Sequence, residues 1–129
     1  MSAQTLTQES AEHMAREWFS KVDVLDVDAT VSLCDEESVV TFGNNPSIQG
    51  VTNLREMFGG FYQYFDKMNH DIRNISVGYY IKGKKDESPV VVPVMSVMRL
   101  KSGSAGGQMR FKDFRVYIDL SPVMAMVQS

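Results

Sequence analysis

Met109 to Leu120, MRFKDFRVYIDL, decides how the rest of the chain is read. Successive side chains of a strand point to opposite faces, so Phe114, Val116, Ile118 and Leu120 form one row and Asp113, Arg115, Tyr117 and Asp119 the other. The first row belongs in a core. The second is either an ordinary wet face or a functional row carrying a guanidinium, a phenol and a carboxylate. Working outward, strand-like pattern extends back to about His70, and the region before that has helical spacing.

The bounds set by composition are ordinary. The 129 residues fit one domain, 1–129, with enough chain to bury a core unaided, and 43% apolar and 22% charged residues suit a folded globule. A net charge of −3 argues against nucleic acid, because the basic runs at Lys82–Lys85 and Arg110–Lys112 are interrupted or balanced by acids. Cys34 is the only cysteine, so neither a disulfide framework nor a thiolate metal site is expected. Residues 1–6 are expected to be flexible. The polar N-terminus resembles no secretory signal and no apolar run approaches a membrane span, so a cytoplasmic protein without a membrane partner is expected.

In chain order, Ala11, Met14, Ala15, Trp18, Phe19 and Val22 recur on one helical face, predicting a helix over Thr7–Val22 capped by Thr5 or Thr7. His13 lies among Glu9, Glu12 and Glu17 and reads as a surface ion-pairing residue. Asp26 or Asp28 is placed to cap a short helix ending near Cys34, a small buried residue. Val39–Phe42 reads as a short strand closed by the Gly43–Pro46 turn. Asn53 and Glu56 have capping-box spacing before an aromatic face of Leu54, Met57, Phe58, Phe61, Tyr62 and Phe65. Gly59–Gly60 suggests a close approach to a neighbouring element, and Gly78 a bulge or bend. Pro89–Leu100 is a second long strand, and Ser102–Gly107 a flexible loop. The apolar tail 121–129 is expected to dock on the domain or on a partner.

This order of elements resembles the nuclear transport factor 2-like superfamily, and within it the SnoaL-like polyketide cyclases and ketosteroid isomerase-like proteins. The residues carrying the resemblance are Trp18–Phe19, Asp28–Ala29, Val39–Phe42, Ile48–Gln49–Gly50, His70 and Arg115–Asp119, spread over nearly the whole chain. The resemblance implies an α+β fold, a cone-shaped curved antiparallel sheet wrapped on N-terminal helices, with a pocket between them and a dimer across the outer sheet face. On an approximate alignment, the positions of the ketosteroid isomerase acids are Trp18, Met95 and Phe42, none able to serve. The limonene epoxide hydrolase pattern is also incomplete, because Val92–Val97 lacks the arginine and aspartate. Scytalone-dehydratase-type chemistry expects a second pocket histidine. SnoaL-like chemistry needs a late acid and a histidine, roles open to Asp119 and His70.

The expected site therefore has Asp119, His70, Tyr117 and Arg115 as catalytic candidates. Trp18, Phe42, Asn44, Phe58, Tyr62, Met95 and Val97 are the ligand-binding candidates. No metal and no cofactor are expected. The resemblance implies a cofactor-independent isomerase, cyclase or dehydratase acting on a hydrophobic small molecule of polyketide or terpenoid type, as a homodimer. The alternative is a non-catalytic binding or interaction module, because fold alone does not define function.

Overall fold

The computed structural model describes residues 7–84, 88–101 and 110–128. The expected flexible segment 1–6 and the loop Ser102–Gly107 lie outside the described residues. Helix α1, Gln8–Asp23, starts where Thr7 and Ser10 exchange side-chain and backbone hydrogen bonds in a reciprocal cap. It turns Trp18 and Val22 into the core. Its end is fixed by Leu25 at φ +62, with Leu25 N–H donating to the Val22 carbonyl and Asp26 N–H to that of Lys21, at 2.9 and 3.3 Å. That is the left-handed helix ending more often built on glycine. Asp26 then accepts from the Ala29 N–H to cap α2, Val27–Thr30, which passes into a 3₁₀ turn, Val31–Leu33.

Helix α3, Val51–Tyr62, begins at Gly50, whose φ of +91 suits glycine. The Asn53–Glu56 pair is not its cap: Asn53 donates to the Gln49 carbonyl from inside the first turn. Gly59 and Gly60 face open space, so they accommodate no neighbour. The helix ends at Tyr62, and Phe65, read as part of its apolar face, instead opens a strand and is almost fully buried.

The strands are β1 (Val39–Phe42), β2 (Ile48–Gln49), β3 (Phe65–Asp71), β4 (Ser76–Ile81), β5 (Val90–Lys101) and β6 (Arg110–Ile118). They form one six-stranded sheet in the order β2-β1-β6-β5-β4-β3. The pairings are antiparallel except that β1 runs parallel to β6. The sheet is therefore mixed where an antiparallel one was expected. The bulge expected at Gly78 lies instead on β3 between Phe65 and Lys67. A second register shift, opposite Arg99 and Leu100, inserts Lys112 into β6. This extra residue turns both Phe111 and Phe114 inward, three positions apart, where strict alternation would separate them. Both rings meet Trp18 edge-on, at centroid distances of 5.2 and 4.9 Å.

The core lies between one face of the sheet and α1 and α3. Its polar groups are paired. Trp18 Nε1 donates to the Thr30 carbonyl at 3.0 Å, and the Thr30 and Tyr62 hydroxyls share a bond of 2.9 Å. The tail forms α4, Ser121–Gln128, which folds against β4 and β5 and buries Val123 completely. No described helix is long and apolar enough to cross a membrane.

Candidate functional site

Because β6 directs Phe114 and Val116 into the core, Arg115 and Tyr117 fall on the opposite, exposed face. The expectation that Arg115, Tyr117 and Asp119 face a common pocket is corrected by this pleat. Arg115 pairs with Asp113 at 3.2 Å, which raises the guanidinium pKa further. Tyr117 stands opposite Met95, and Arg115 opposite Val97, in the β5–β6 ladder. Met95 and Val97 thus belong to the same exposed face rather than to an interior pocket. Asp119 is exposed past the end of β6 and accepts the Ser121 N–H at 2.9 Å; the Ser121 hydroxyl first, and this N–H second, lower its carboxyl pKa at the entry to α4. Asn44 is exposed in the β1–β2 turn.

Four of the expected residues, Trp18, Phe42, Phe58 and Tyr62, do meet inside. They surround a void of only about 30 Å³, because Phe61, Tyr79, Phe114 and other side chains fill the remainder. Tyr62 supplies no proton there at ordinary pH: burial pushes its phenol up to about 12, and its hydroxyl is shared with Thr30. Cys34 is similarly inert, its thiol pushed up to about 11 by burial.

Phe42 and Phe58 also line an apolar pocket of about 220 Å³ with Met57, Phe61 and Leu120, and Met95 and His70 line a larger cleft, where His70 is the titratable sequence candidate. His70 lines the inner void and also a cleft of about 350 Å³ bounded by Ala15 and Phe19 of α1, the β3–β4 turn and Val94, Met95, Ser96 and Met98 of β5. Phe19, His70, Val94 and Ser96 line both spaces, so they form the wall between cleft and core. The imidazole stacks on Phe19 with a centroid separation of 4.4 Å. Its Nδ1 lies 2.5 Å from an Asp23 oxygen, and the same carboxylate accepts the His70 backbone N–H at 3.1 and 3.2 Å. The His70 and Asp23 side chains are 13% and 22% exposed, so the pair is shielded from bulk water without being sealed.

A carboxylate against Nδ1 makes that nitrogen the donor and leaves Nε2 as the basic atom of the neutral ring. Nε2 has no hydrogen-bond partner among the described residues, and no buried side-chain nitrogen or oxygen there is left unpaired, so Nε2 is open to solvent. The geometry is thus an oriented base at the wall of an apolar cleft, with the Ser96 hydroxyl nearby.

Asp23 was not among the sequence candidates. A carboxylate in the last turn of a helix opposes the helix dipole, and that local misfit is the signal that it answers to a tertiary partner. Ser96 was missed because β5 reads Val-Pro-Val-Met-Ser-Val-Met, apolar on both faces, so period alone does not choose between the Met95 and Ser96 rows. Among the described residues, no group of histidine, cysteine, aspartate and glutamate side chains is arranged to hold a metal.

No protein-family model and no curated protein matches the sequence. Solved structures do match. Nuclear transport factor 2 from Cryptosporidium parvum superposes with a TM-score of 0.63 at 15% identity, covering 91% of this chain and 100% of that one. The fold is that of nuclear transport factor 2. A ketosteroid isomerase-like protein from Erwinia carotovora atroseptica gives a TM-score of 0.66 at 14% identity, over 88% of this chain and 98% of that one. A provisionally assigned SnoaL-like polyketide cyclase from Jannaschia gives 0.65 at 14% identity, over 100% and 98%. Within this nuclear transport factor 2-like fold, the interior is largely filled, and the oriented histidine faces an open cleft beside it.

Proposed function

We propose that this protein is a cofactor-independent general acid-base catalyst, of isomerase, cyclase or dehydratase type, acting on a hydrophobic small molecule held in the α1–β5 cleft. The observation that carries the reading is the His70–Asp23 pair at 2.5 Å, with Nε2 unpartnered among the described residues at the cleft wall. In the reaction, neutral His70 takes a proton on Nε2 from the substrate. Asp23, held on Nδ1–H, stabilises the imidazolium that forms, and the proton is returned from Nε2 to a different atom of the substrate or to a leaving oxygen. Ser96 is placed to orient a substrate oxygen, while Phe19, Val94 and Met98 supply apolar contact.

The reading is tested by following the His70 ring nitrogens by NMR while 2-naphthol, a flat apolar molecule with one hydroxyl, is added. Shifts concentrated on Nε2, with Nδ1 remaining the protonated nitrogen, are expected. An unperturbed His70 ring at saturating 2-naphthol would remove the cleft as a ligand site.

We further propose that the protein is a homodimer across the outer sheet face. Val91, Met95, Val97 and Tyr117 form an exposed apolar row there, two of them, Met95 and Tyr117, directly opposite in the ladder. A second reading, a non-catalytic binding module of the same fold, is favoured by the inner void, whose 30 Å³ accommodates little more than one or two waters. In that case the cleft binds its ligand, and His70 contributes a hydrogen bond but no turnover.

A further inference from the structure

The hairpin joining β3 to β4 closes over four residues, Ile72 to Ile75, with Asp71 paired to Ser76 at its base. The Asp71 carboxylate accepts both the Asn74 backbone N–H, at 3.2 Å, and the Asn74 side-chain amide, at 2.7 Å. The Ile75 carbonyl accepts the Val94 N–H at 2.9 Å, which bolts the turn to β5. All of these bonds are made by backbone or by other side chains, and none requires isoleucine at position 75.

Isoleucine is in fact a poor choice there. Ile75 sits at φ +50, the left-handed region, where a β-branched side chain is strained and glycine or asparagine is at ease. Its side chain does not compensate by burial: it is 49% exposed, as Ile72 is 40%, and neither belongs to the buried core. Both line the 350 Å³ cleft whose wall carries His70. Backbone strain held at a cleft, with no structural return, points to use by the ligand.

We propose that Ile72 and Ile75 are specificity-determining residues, forming an apolar lip that holds the hydrophobic body of the ligand opposite Phe19 while its polar edge meets His70. The inference rests on the reading of this cleft as the ligand site. It also narrows the ligand class, to a molecule with an apolar flank and one hydroxyl or carbonyl edge.

The test measures 2-naphthol affinity, urea unfolding and sedimentation for the wild-type chain, Ile75→Gly and Ile72→Ser. The expected result is a higher unfolding midpoint for Ile75→Gly, from relief of strain, together with affinity weaker by about tenfold in each variant, the loss expected for uncovering one aliphatic side chain. If 2-naphthol binds the wild-type chain and shifts the His70 ring but binds both variants equally well, the lip is overturned while the cleft reading stands. If it never reaches the His70 ring in the wild-type chain, the cleft reading itself fails. A change of sedimentation in the variants with unchanged affinity overturns the lip in favour of a self-association contact. A lowered midpoint in Ile75→Gly with Ile72→Ser binding normally assigns the turn a structural role only.

Discussion

Asp23→Asn changes two atoms' chemistry and almost no volume, so its consequences follow from the bonds at His70. The carboxylate now accepts both the backbone N–H and Nδ1–H of His70. Asparagine keeps one acceptor oxygen; placed at the Oδ2 position it retains the shorter backbone bond of 3.1 Å and sets the NH₂ donor against Nδ1. Nδ1 must then become an acceptor, and the neutral ring moves its proton to Nε2. A hydrogen bond to a charged group contributes about 1.5–3 kcal/mol and a neutral one about 0.5–1.5, so the exchange costs on the order of 1–2 kcal/mol. With a urea slope of about 2 kcal/mol per molar for a chain of this size, the unfolding midpoint should fall by roughly 0.5–1 M. Long-range nitrogen–proton NMR spectra should report the tautomer directly, with Nδ1–H in the wild-type chain and Nε2–H in the variant. An unchanged midpoint together with an unchanged tautomer would refute the reasoning, because it would mean that the carboxylate does not hold the ring in solution.

Two further outcomes follow from the structure. Placing a charge in the outer apolar row, as in Met95→Glu, should convert a dimer sedimenting at micromolar concentration into a folded monomer, since position 95 is 54% exposed, with apparent stability falling only by the lost dimer linkage; a wild-type monomer would remove the interface. Stability should also decline in alkali. The folded pKa values of Cys34 and Tyr62 are raised from 9.0 and 10.0 to about 11 and about 12, so the unfolded chain loses these protons first. Their contribution is complete below pH 9 and is lost as pH rises through 9 to 12, by about 3 kcal/mol for each group at full deprotonation. Urea midpoints measured across that range check the sign, and a flat profile would contradict the burial of both groups.

The helices were legible because their apolar spacing and caps are local: Thr7, Asp26 and the face containing Trp18 and Val22 all act as the sequence pattern implies. The order of elements carried the fold through the same local signals. What the pattern did not contain was the choice of faces. The row Arg115, Tyr117 and Asp119 was assigned to the pocket, yet Phe114 and Val116 compete for the interior and their burial outweighs any use of an arginine there. On β5 both rows are apolar, and Met95 and Val97 were assigned to an interior pocket, yet both are exposed: Val97 lies off the cleft, and Met95 reaches it only alongside Val94, Ser96 and Met98. The partner of His70 was hidden by distance along the chain, since Asp23 meets it across 47 positions. Its only local trace is a carboxylate at the unfavourable end of α1. The strained lip residue Ile75 left no trace at all, because its backbone conformation depends on the bond from Val94 and the clasp of Asp71 on Asn74.

The central claim, that His70 is the working base and Asp119 is not, is tested most directly with 5-nitrobenzisoxazole, a flat apolar bicycle. A base removes its C3 proton, the nitrogen–oxygen bond breaks, and the ring opens to a coloured cyanophenolate without any co-reactant. The rate is measured at neutral pH for the wild-type chain, His70→Gln and Asp119→Asn side by side. The account predicts a loss of about 100-fold or more in His70→Gln, the scale of a general base, and no change in Asp119→Asn. Equal rates for the wild-type chain and His70→Gln, or a loss confined to Asp119→Asn, would contradict it.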